Sequence, residues 1–187
     1  FNEQSLLQKT KQSDIRAFET IFHKYQPILC KYLYYNTQDY HLSQDIVQET
    51  FLRVWLNRKS LKPDLSFFAY ISKISKNLVK DHYKRKRVRD KYQDSIPAKS
   101  ESEHANPETA LEMSLLEQRI HLCVNKYLPE RCRTIFILSR IEGKTNQEIA
   151  RLLNITKKTV ENQLYHALKI LGKKLAKFAT VQQLPDI

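Results

Sequence analysis

The sequence predicts an all-α chain of two small helical domains joined by a flexible acidic linker. Three observations predict it. Apolar residues recur at helical spacing through two long stretches, about 13–92 and 111–178. Glycine is almost absent: Gly143 and Gly172 are the only two among 187 residues. That argues against a β-sandwich, whose tight turns want glycine, and against the Gly-rich loops that cradle dinucleotides and phosphates. Between the two stretches, residues 93–110 are rich in Ser, Pro and acid, and over 93–112 five acids face Lys99 alone. Such a segment cannot bury enough apolar area to order itself. The length suits one or two domains, since typical domains run to roughly 100–150 residues.

The first domain is expected over 1–92. A short helix falls at 3–11. Ile15, Phe18, Phe22, Tyr25, Leu29 and Leu33 then mark one helix, and Ile46, Val47, Phe51, Val54 and Trp55 a second. Phe67, Phe68, Ile71, Ile74 and Leu78 mark a third, with Phe67 and Phe68 read as core and Tyr70 as partly exposed. Breaks fall at about 36–43 and 57–66, where polar residues and Pro63 interrupt the pattern. The second domain is expected over 111–178. Leu115, Leu116, Ile120 and Val124 form one stripe, and Ile135, Phe136 and Leu138 another after Leu128-Pro129-Glu130. A short helix at 146–153 and a longer one at 157–176 follow, and residues 179–187 read as a tail.

Lys+Arg number 32 against 20 Asp+Glu, a net charge of +12. No apolar run approaches the roughly 18 residues of a membrane span, so stable membrane insertion is not expected. No secretory signal is visible at Phe1. Cys30, Cys123 and Cys132 are odd in number and widely spaced, which fits a reduced cytoplasmic protein. Cys123 and Cys132 lack a C-x-x-C or H-x-x-x-H partner, so neither a metal nor another cofactor is expected. No G-x-x-x-x-G-K-[ST], zinc-deaminase pattern or carboxylate cluster for two metals points to an enzyme acting on nucleic acid.

The strongest local signal is T-N-Q-E-I-A-R-L-L-N-I-T-K-K-T-V-E-N-Q-L-Y-H-A-L-K-I-L, 145–171. Thr145 and Glu148 form a capping box, which satisfies orphan amides at a helix start. Ile149, Leu152 and Leu153 give that helix its buried face, and Ala150 is small where two helices must cross closely. Asn154 sits where a tight turn wants a left-handed residue. Ile155 plugs the turn and Thr156 caps the next helix, whose inward stripe is Val160, Leu164, Ala167, Leu168 and Leu171. This is the spacing of a helix-turn-helix whose second helix lies in the major groove, with a plain helical hairpin as the bland alternative. Lys157, Lys158, Glu161, Asn162, Gln163, Tyr165 and His166 face outward. Lys157 and Lys158 suit phosphates; Asn162 and Gln163 suit adenine, and Glu161 suits cytosine. Lys169, Lys173, Lys174 and Lys177 read as a solvated helix end. A second basic surface lies at 76–92, with eight Lys/Arg against two Asp, beside Tyr70, His82 and Tyr83. Cations interleaved with aromatics suit a surface on which unpaired bases stack, although a charge run is often only a solvated helix end.

Two nucleic-acid modules on one tether resemble the extracytoplasmic-function (ECF) sigma factors of bacterial RNA polymerase. The resemblance rests on D-I-V-Q-E-T-F (45–51), on Asn77, Asp81 and Arg85 at four-residue intervals, and on L-P-E-R-C-R (128–133) leading to T-V-E-N-Q-L-Y-H-A-L. It covers about 13–92 and 111–175. The T-V-E-N-Q-L helix and R-V-W (53–55) look most like the Bacteroidetes-type subfamily that includes relatives of iron-citrate-type regulators. The resemblance implies that residues 1–92 bind the polymerase clamp helices through Asp45, Gln48, Glu49, Leu52 and Arg53. It implies that they recognise and melt the −10 element. The loop Arg58, Lys59, Ser60, Leu61, Lys62 and Pro63 falls where the family captures a flipped base, and Asn77 near the opened strand. Tyr70 is placed beside them, and Lys80, Lys84, Arg85 and Arg87 on the backbone. A pocket that accepts an unstacked base drives opening without ATP. Residues 111–178 would read the −35 element through Glu161, Asn162, Gln163, Tyr165 and His166, with Thr156, Lys157, Lys158 and Thr159 near phosphates, and would dock on the polymerase flap. Many family members carry arginines on this helix. Glu161, Gln163 and His166 depart from that and favour A·T-rich sequence. The linker would thread toward the RNA exit channel. An anti-sigma factor is the implied inhibitor, and a monomer the default state. The competing reading is a conventional helix-turn-helix regulator with an N-terminal effector or dimerisation domain, which needs neither the 45–55 motif nor the basic 70–92 surface.

Overall fold

The computed structural model describes residues 2–93 and 115–181, and side chains over 2–90 and 120–176. Eight α-helices are present among the described residues. The first four are α1 (Glu3–Lys11), α2 (Ile15–Thr37), α3 (Tyr40–Leu56) and α4 (Phe67–Gln93). The second four are α5 (Leu115–Tyr127), α6 (Glu130–Arg140), α7 (Asn146–Leu153) and α8 (Lys157–Val181). The expected linker lies outside the described residues apart from Gln93, which ends α4. Of the expected tail, residues up to Val181 continue α8 and the rest lies outside the described residues.

Short polar side chains start the helices. Asn2, Asp14 and Asp39 each accept from an amide of the first turn of α1, α2 and α3, at 3.1, 3.0 and 2.9 Å. Ser66 Oγ does the same for Ala69 N–H at the start of α4, at 3.0 Å. The break expected over 36–43 is shorter than its polar composition suggests. It is Gln38 and Asp39 alone, because Gln38 takes the left-handed conformation at φ 57° and turns the chain at once. The break at 57–66 holds a single 3-10 turn, Arg58–Ser60.

The inward stripes of α2, α3 and α4 meet as the periodicity predicts, with Phe18, Phe22, Trp55 and Ile74 half-buried at their margins and Ile15 outside. Ile15 is 64% exposed, because it begins α2 beyond the reach of the core. Trp55 is half-buried, its ring against Phe18 at 5.0 Å between centroids. In the second half Leu168, expected inward, is exposed, while Val160, Leu164, Ala167 and Leu171 are buried. A fully buried Leu or Phe contributes about 1.5–3 kcal/mol, so these stripes dominate the stability of each half.

The two halves share one core. α6 is buried through its middle, at Cys132 and from Thr134 through Ile135, Phe136, Ile137 and Leu138, with Glu130, Arg131 and Arg140 exposed at its ends. Five consecutive buried positions point to every side of a helix, so that stretch is covered all round, and α6 packs on α7, α8 and α2. Tyr32 and Tyr35 of α2, absent from the expected stripe, lie on the side that meets the second half. The Tyr32 hydroxyl lies 3.4 Å from Thr134 Oγ1, and the Tyr35 ring packs edge-on against His121. Burial pushes the Tyr35 phenol up to about 12.

Candidate nucleic-acid interface

The geometry of α3 divides its residues cleanly. Ile46, Val47, Phe51 and Val54 are buried, which turns Asp45, Gln48, Leu52 and Arg53 outward. Glu49 is half-buried and accepts from Arg53 Nε at 2.7 Å, one helical turn away. Leu52 and Leu56 are 51% and 66% exposed and also one turn apart. Single exposed leucines are ordinary, but two on one ridge beside a charged pair form an amphipathic face that no element among the described residues covers. A groove of about 880 Å³ runs between this helix and α4, with Asp45 and Glu49 on one wall and Arg85 and Arg89 on the other.

The 3-10 turn is held by Arg58. Its Nε donates to Ser13 Oγ at 2.9 Å, one terminal nitrogen donates to the Trp55 carbonyl at 2.8 Å, and its guanidinium stacks 4.4 Å from the Trp55 ring centre. Lys59, Ser60 and Lys62 are exposed. Leu61, expected with the base-capturing loop, is instead buried at 4% exposure. Its side chain anchors the loop to the core, so it has no face for a base, and its carbonyl accepts from Lys11 Nζ at 3.1 Å.

Helical spacing sorts the residues of α4 into faces. Asn77, Asp81 and Arg85 recur every four residues and are all exposed. Lys80, Lys84 and Arg87 alternate with Val79, Tyr83 and Val88 along a shallow cleft of about 360 Å³. Cations flanking an aromatic and two apolar side chains give both a phosphate track and a stacking platform. Tyr70 is half-buried beside Phe67, at 6.4 Å between ring centroids, so only part of its ring is available.

The helix-turn-helix forms as its residues dictate. Thr145 and Glu148 make both bonds of the capping box, at 2.8 and 3.3 Å. Asn154 is left-handed, φ 51° and ψ 52°. Thr156 Oγ1 accepts from Thr159 N–H at 3.1 Å and starts α8. On α8, Lys157, Lys158, Asn162, Tyr165 and His166 are exposed, with Tyr165 at 63%. Thr159, Glu161 and Gln163 are half-buried. Lys157 Nζ lies 3.8 Å from Glu161, and Gln163 Oε1 accepts from Cys132 Sγ at 2.8 Å. Gln163 is therefore tied to α6, a partner that spacing on α8 alone does not reveal. The same holds for Tyr32, Lys76, Glu130 and His121, which join the two halves.

Comparison with known proteins agrees with this layout. Residues 21–89 match the family described as Sigma-70 region 2, and residues 117–171 match Sigma-70, region 4. The RNA polymerase sigma-H factor of Pseudomonas aeruginosa is 25% identical over 181 residues, covering 92% of this chain and 93% of that protein. The ECF RNA polymerase sigma factor SigW of Bacillus subtilis is 28% identical over 178 residues, covering 90% and 94%. Among solved structures, CnrH in complex with the cytosolic domain of CnrY shares the fold. Its TM-score is 0.58 at 21% identity, over 95% of this chain and 99% of that one.

Proposed function

The chain belongs to the ECF sigma factors of bacterial RNA polymerase, and from that premise we propose how its residues divide promoter recognition between them. The observation that carries the assignment is the outer face of α3, where Asp45, Gln48, Leu52 and Arg53 stand exposed over a fully buried inner face. That ridge, with Glu49, binds the clamp helices of core RNA polymerase. The first domain, 1–92, then opens the −10 element. Lys59, Ser60 and Lys62 border the captured base, Asn77 and Tyr70 face the opened strand, and Lys80, Lys84, Arg85 and Arg87 hold its backbone. Arg58 and Leu61 shape that loop from below.

The second domain, 111–178, reads the −35 element as duplex and docks on the polymerase flap. Asn162, Tyr165 and His166 meet base edges, and Thr156, Lys157, Lys158 and Thr159 lie at phosphates. Glu161 and Gln163 stand behind them, steering α8 from its flank. The protein acts by binding alone, without chemistry, metal or cofactor of its own, and works in the cytoplasm. Among the described residues no helix is long and apolar enough to cross a membrane. The sigma factor RpoE of Bartonella quintana, of similar fold at a TM-score of 0.50, forms a complex with the anti-sigma factor NepR, which supports an anti-sigma partner here too. The Bacteroidetes-type placement rests on R-V-W and T-V-E-N-Q-L.

The test is transcription from a linear promoter library with core polymerase, with and without the chain. Specific start sites appear only when the chain is present. Asn162→Ala lowers initiation about tenfold or more at promoters with the preferred −35 base, as loss of one bidentate base contact implies. Tight duplex binding by the chain alone, with no core-dependent start sites, would sink the assignment and leave a conventional regulator.

A further inference from the structure

Helix α1 adds little to the core and yet is fastened at both ends. Of its nine residues only Leu7 and Thr10 are buried. Glu3, in its first turn, accepts hydrogen bonds from the Tyr25 hydroxyl and from Lys24 Nζ, both on α2. Its other end meets the loop of 58–62, where α1 packs on the 3-10 turn. Lys11 Nζ donates to the Leu61 carbonyl at 3.1 Å, and Ser13 Oγ accepts from Arg58 Nε at 2.9 Å. The helix is a strut, tied to α2 at one end and braced on the loop at the other.

The two bonds fall on either side of the residues that the loop presents. Arg58 opens the loop and Leu61 lies near its end, and between them Lys59 and Ser60 are exposed. A 3-10 turn has poorer hydrogen-bond geometry than an α-helix and little stability of its own. None of Arg58, Lys59 and Ser60 is buried, so Leu61 is the loop's one buried side chain. What holds positions 58 and 61 therefore fixes the place of Lys59 and Ser60. Trp55 and the core hold them from below, and Ser13 and Lys11 from the side.

Ser13 carries a second, independent sign. It takes the left-handed conformation at the end of α1, φ 73°. The Asp14 amide bonds back to the Lys9 carbonyl at 3.0 Å and the Ser13 amide to the Thr10 carbonyl at 2.9 Å, a helix closure in which glycine is the usual residue. Serine is strained there by its Cβ. The position is exposed, so packing does not demand a side chain. What serine has and glycine lacks is the hydroxyl that Arg58 bonds. Strain kept where the side chain reaches a functional loop points to a part in that function.

We propose that the turn between α1 and α2 is a positioning element for base capture: Ser13 and Lys11 hold the 58–62 loop in the conformation that receives an unstacked base. The proposal rests on the reading of that loop as the base-capturing one. A loop already in its bound shape loses less freedom when a base enters it, and the smaller loss appears as affinity. It appears as selectivity too, because polar groups held in place discriminate between base edges and mobile ones do not.

Ser13→Gly tests the proposal without disturbing the fold. Glycine keeps the left-handed turn, relieves its strain and removes only the hydroxyl. Lys11→Met removes the ammonium and keeps a side chain suited to a helix, and Lys11→Arg restores a donor. Holoenzyme is formed from each full chain with core polymerase. Its binding to single strands carrying the −10 element is measured with the base varied at each position in turn. Wild type prefers one base at the captured position. Ser13→Gly and Lys11→Met bind that strand about three- to tenfold more weakly, as loss of one hydrogen bond implies, and their preference at that position shrinks by a similar factor. Preference at the other positions and affinity for core polymerase stay as in wild type, the urea midpoint stays close to it, and Lys11→Arg recovers the preference. Variants that keep the wild-type affinity and preference overturn the positioning role. So does a loss spread evenly over all positions, which marks a merely structural one. A wild type with no base preference at any position overturns the base-capture reading instead, and the proposal falls with it.

Discussion

Arg58 and Lys59 are neighbours of equal charge with opposite uses. Arg58 has its fork occupied by Ser13 and the Trp55 carbonyl and its plane stacked on the Trp55 ring. Lys59 has its side chain in solvent. Lysine cannot reproduce a planar fork that bonds in two directions and stacks at once. Arg58→Lys therefore destabilises the protein by about 1–2 kcal/mol, read as a lower urea midpoint at unchanged slope. Lys59→Ala leaves the midpoint within about 0.5 kcal/mol of wild type and weakens binding to a −10 single strand. Equal midpoints for the two variants would show that Arg58 does not hold the turn. The sequence made both residues legible as loop cations. It did not show that one was already committed, because its partners lie 45 residues upstream at Ser13 and on the preceding helix turn. The burial of Leu61 and the Cys132 contact of Gln163 were hidden for the same reason. Local spacing tells which way a side chain leaves its backbone, and not what waits there.

At the scale of elements, legibility follows how local the cause is. The capping box, the left-handed Asn154 and the cap at Thr156 are each set by residues within four positions of one another, and all formed where the sequence put them. The tightness of the break after α2 was not legible, since glutamine at Gln38 carries no turn signal, yet it takes the left-handed conformation between α2 and α3. α7 is the element most dependent on its cap, being only eight residues long. Thr145→Ala costs about 1 kcal/mol, measured by urea unfolding at neutral pH. The Glu148 carboxylate is held below its ordinary value of 4.5 by the backbone and side-chain hydrogen bonds from Thr145. A depressed carboxyl contributes stability that is complete above the unfolded value and fades as pH falls through the folded one. Glu148→Gln is therefore less stable than wild type at neutral pH and converges with it in acid below 4.5. A gap that persists unchanged at low pH would mean that the Glu148 charge plays no part in the cap.

At the scale of the molecule, the question is one core or two. Periodicity along α2 identified Tyr25, Leu29 and Leu33 but not Tyr32 and Tyr35, because those two face a surface that one domain alone does not supply. Likewise the run of buried residues in α6 exceeds what a single-faced helix needs. Its extra face is satisfied only by the first half of the chain, through Tyr32 on Thr134 and the neighbouring Tyr35–His121 pair. Elements that share buried contacts unfold together, whereas modules joined only by a tether unfold separately. The wild-type chain therefore melts in a single calorimetric transition, with van't Hoff and calorimetric enthalpies equal. Across the junction Lys76 donates to Glu130 at 2.7 Å and Asn154 to the Asp64 carbonyl at 3.0 Å. Glu130→Lys with Asn154→Gly removes both without touching either hydrophobic stripe, so its trace broadens or splits and the van't Hoff enthalpy falls below the calorimetric one. Raised salt acts in the same direction on wild type, because Lys76–Glu130 is largely solvent-exposed on the Glu130 side and is screened. It acts less strongly, because the Asn154 bond to the Asp64 carbonyl, the Ser66 bond to the Leu152 carbonyl and the tyrosine contacts carry no net charge. Two transitions in wild type at low salt would mean that the shared core contributes nothing to cooperativity, and that the two domains meet without holding one another.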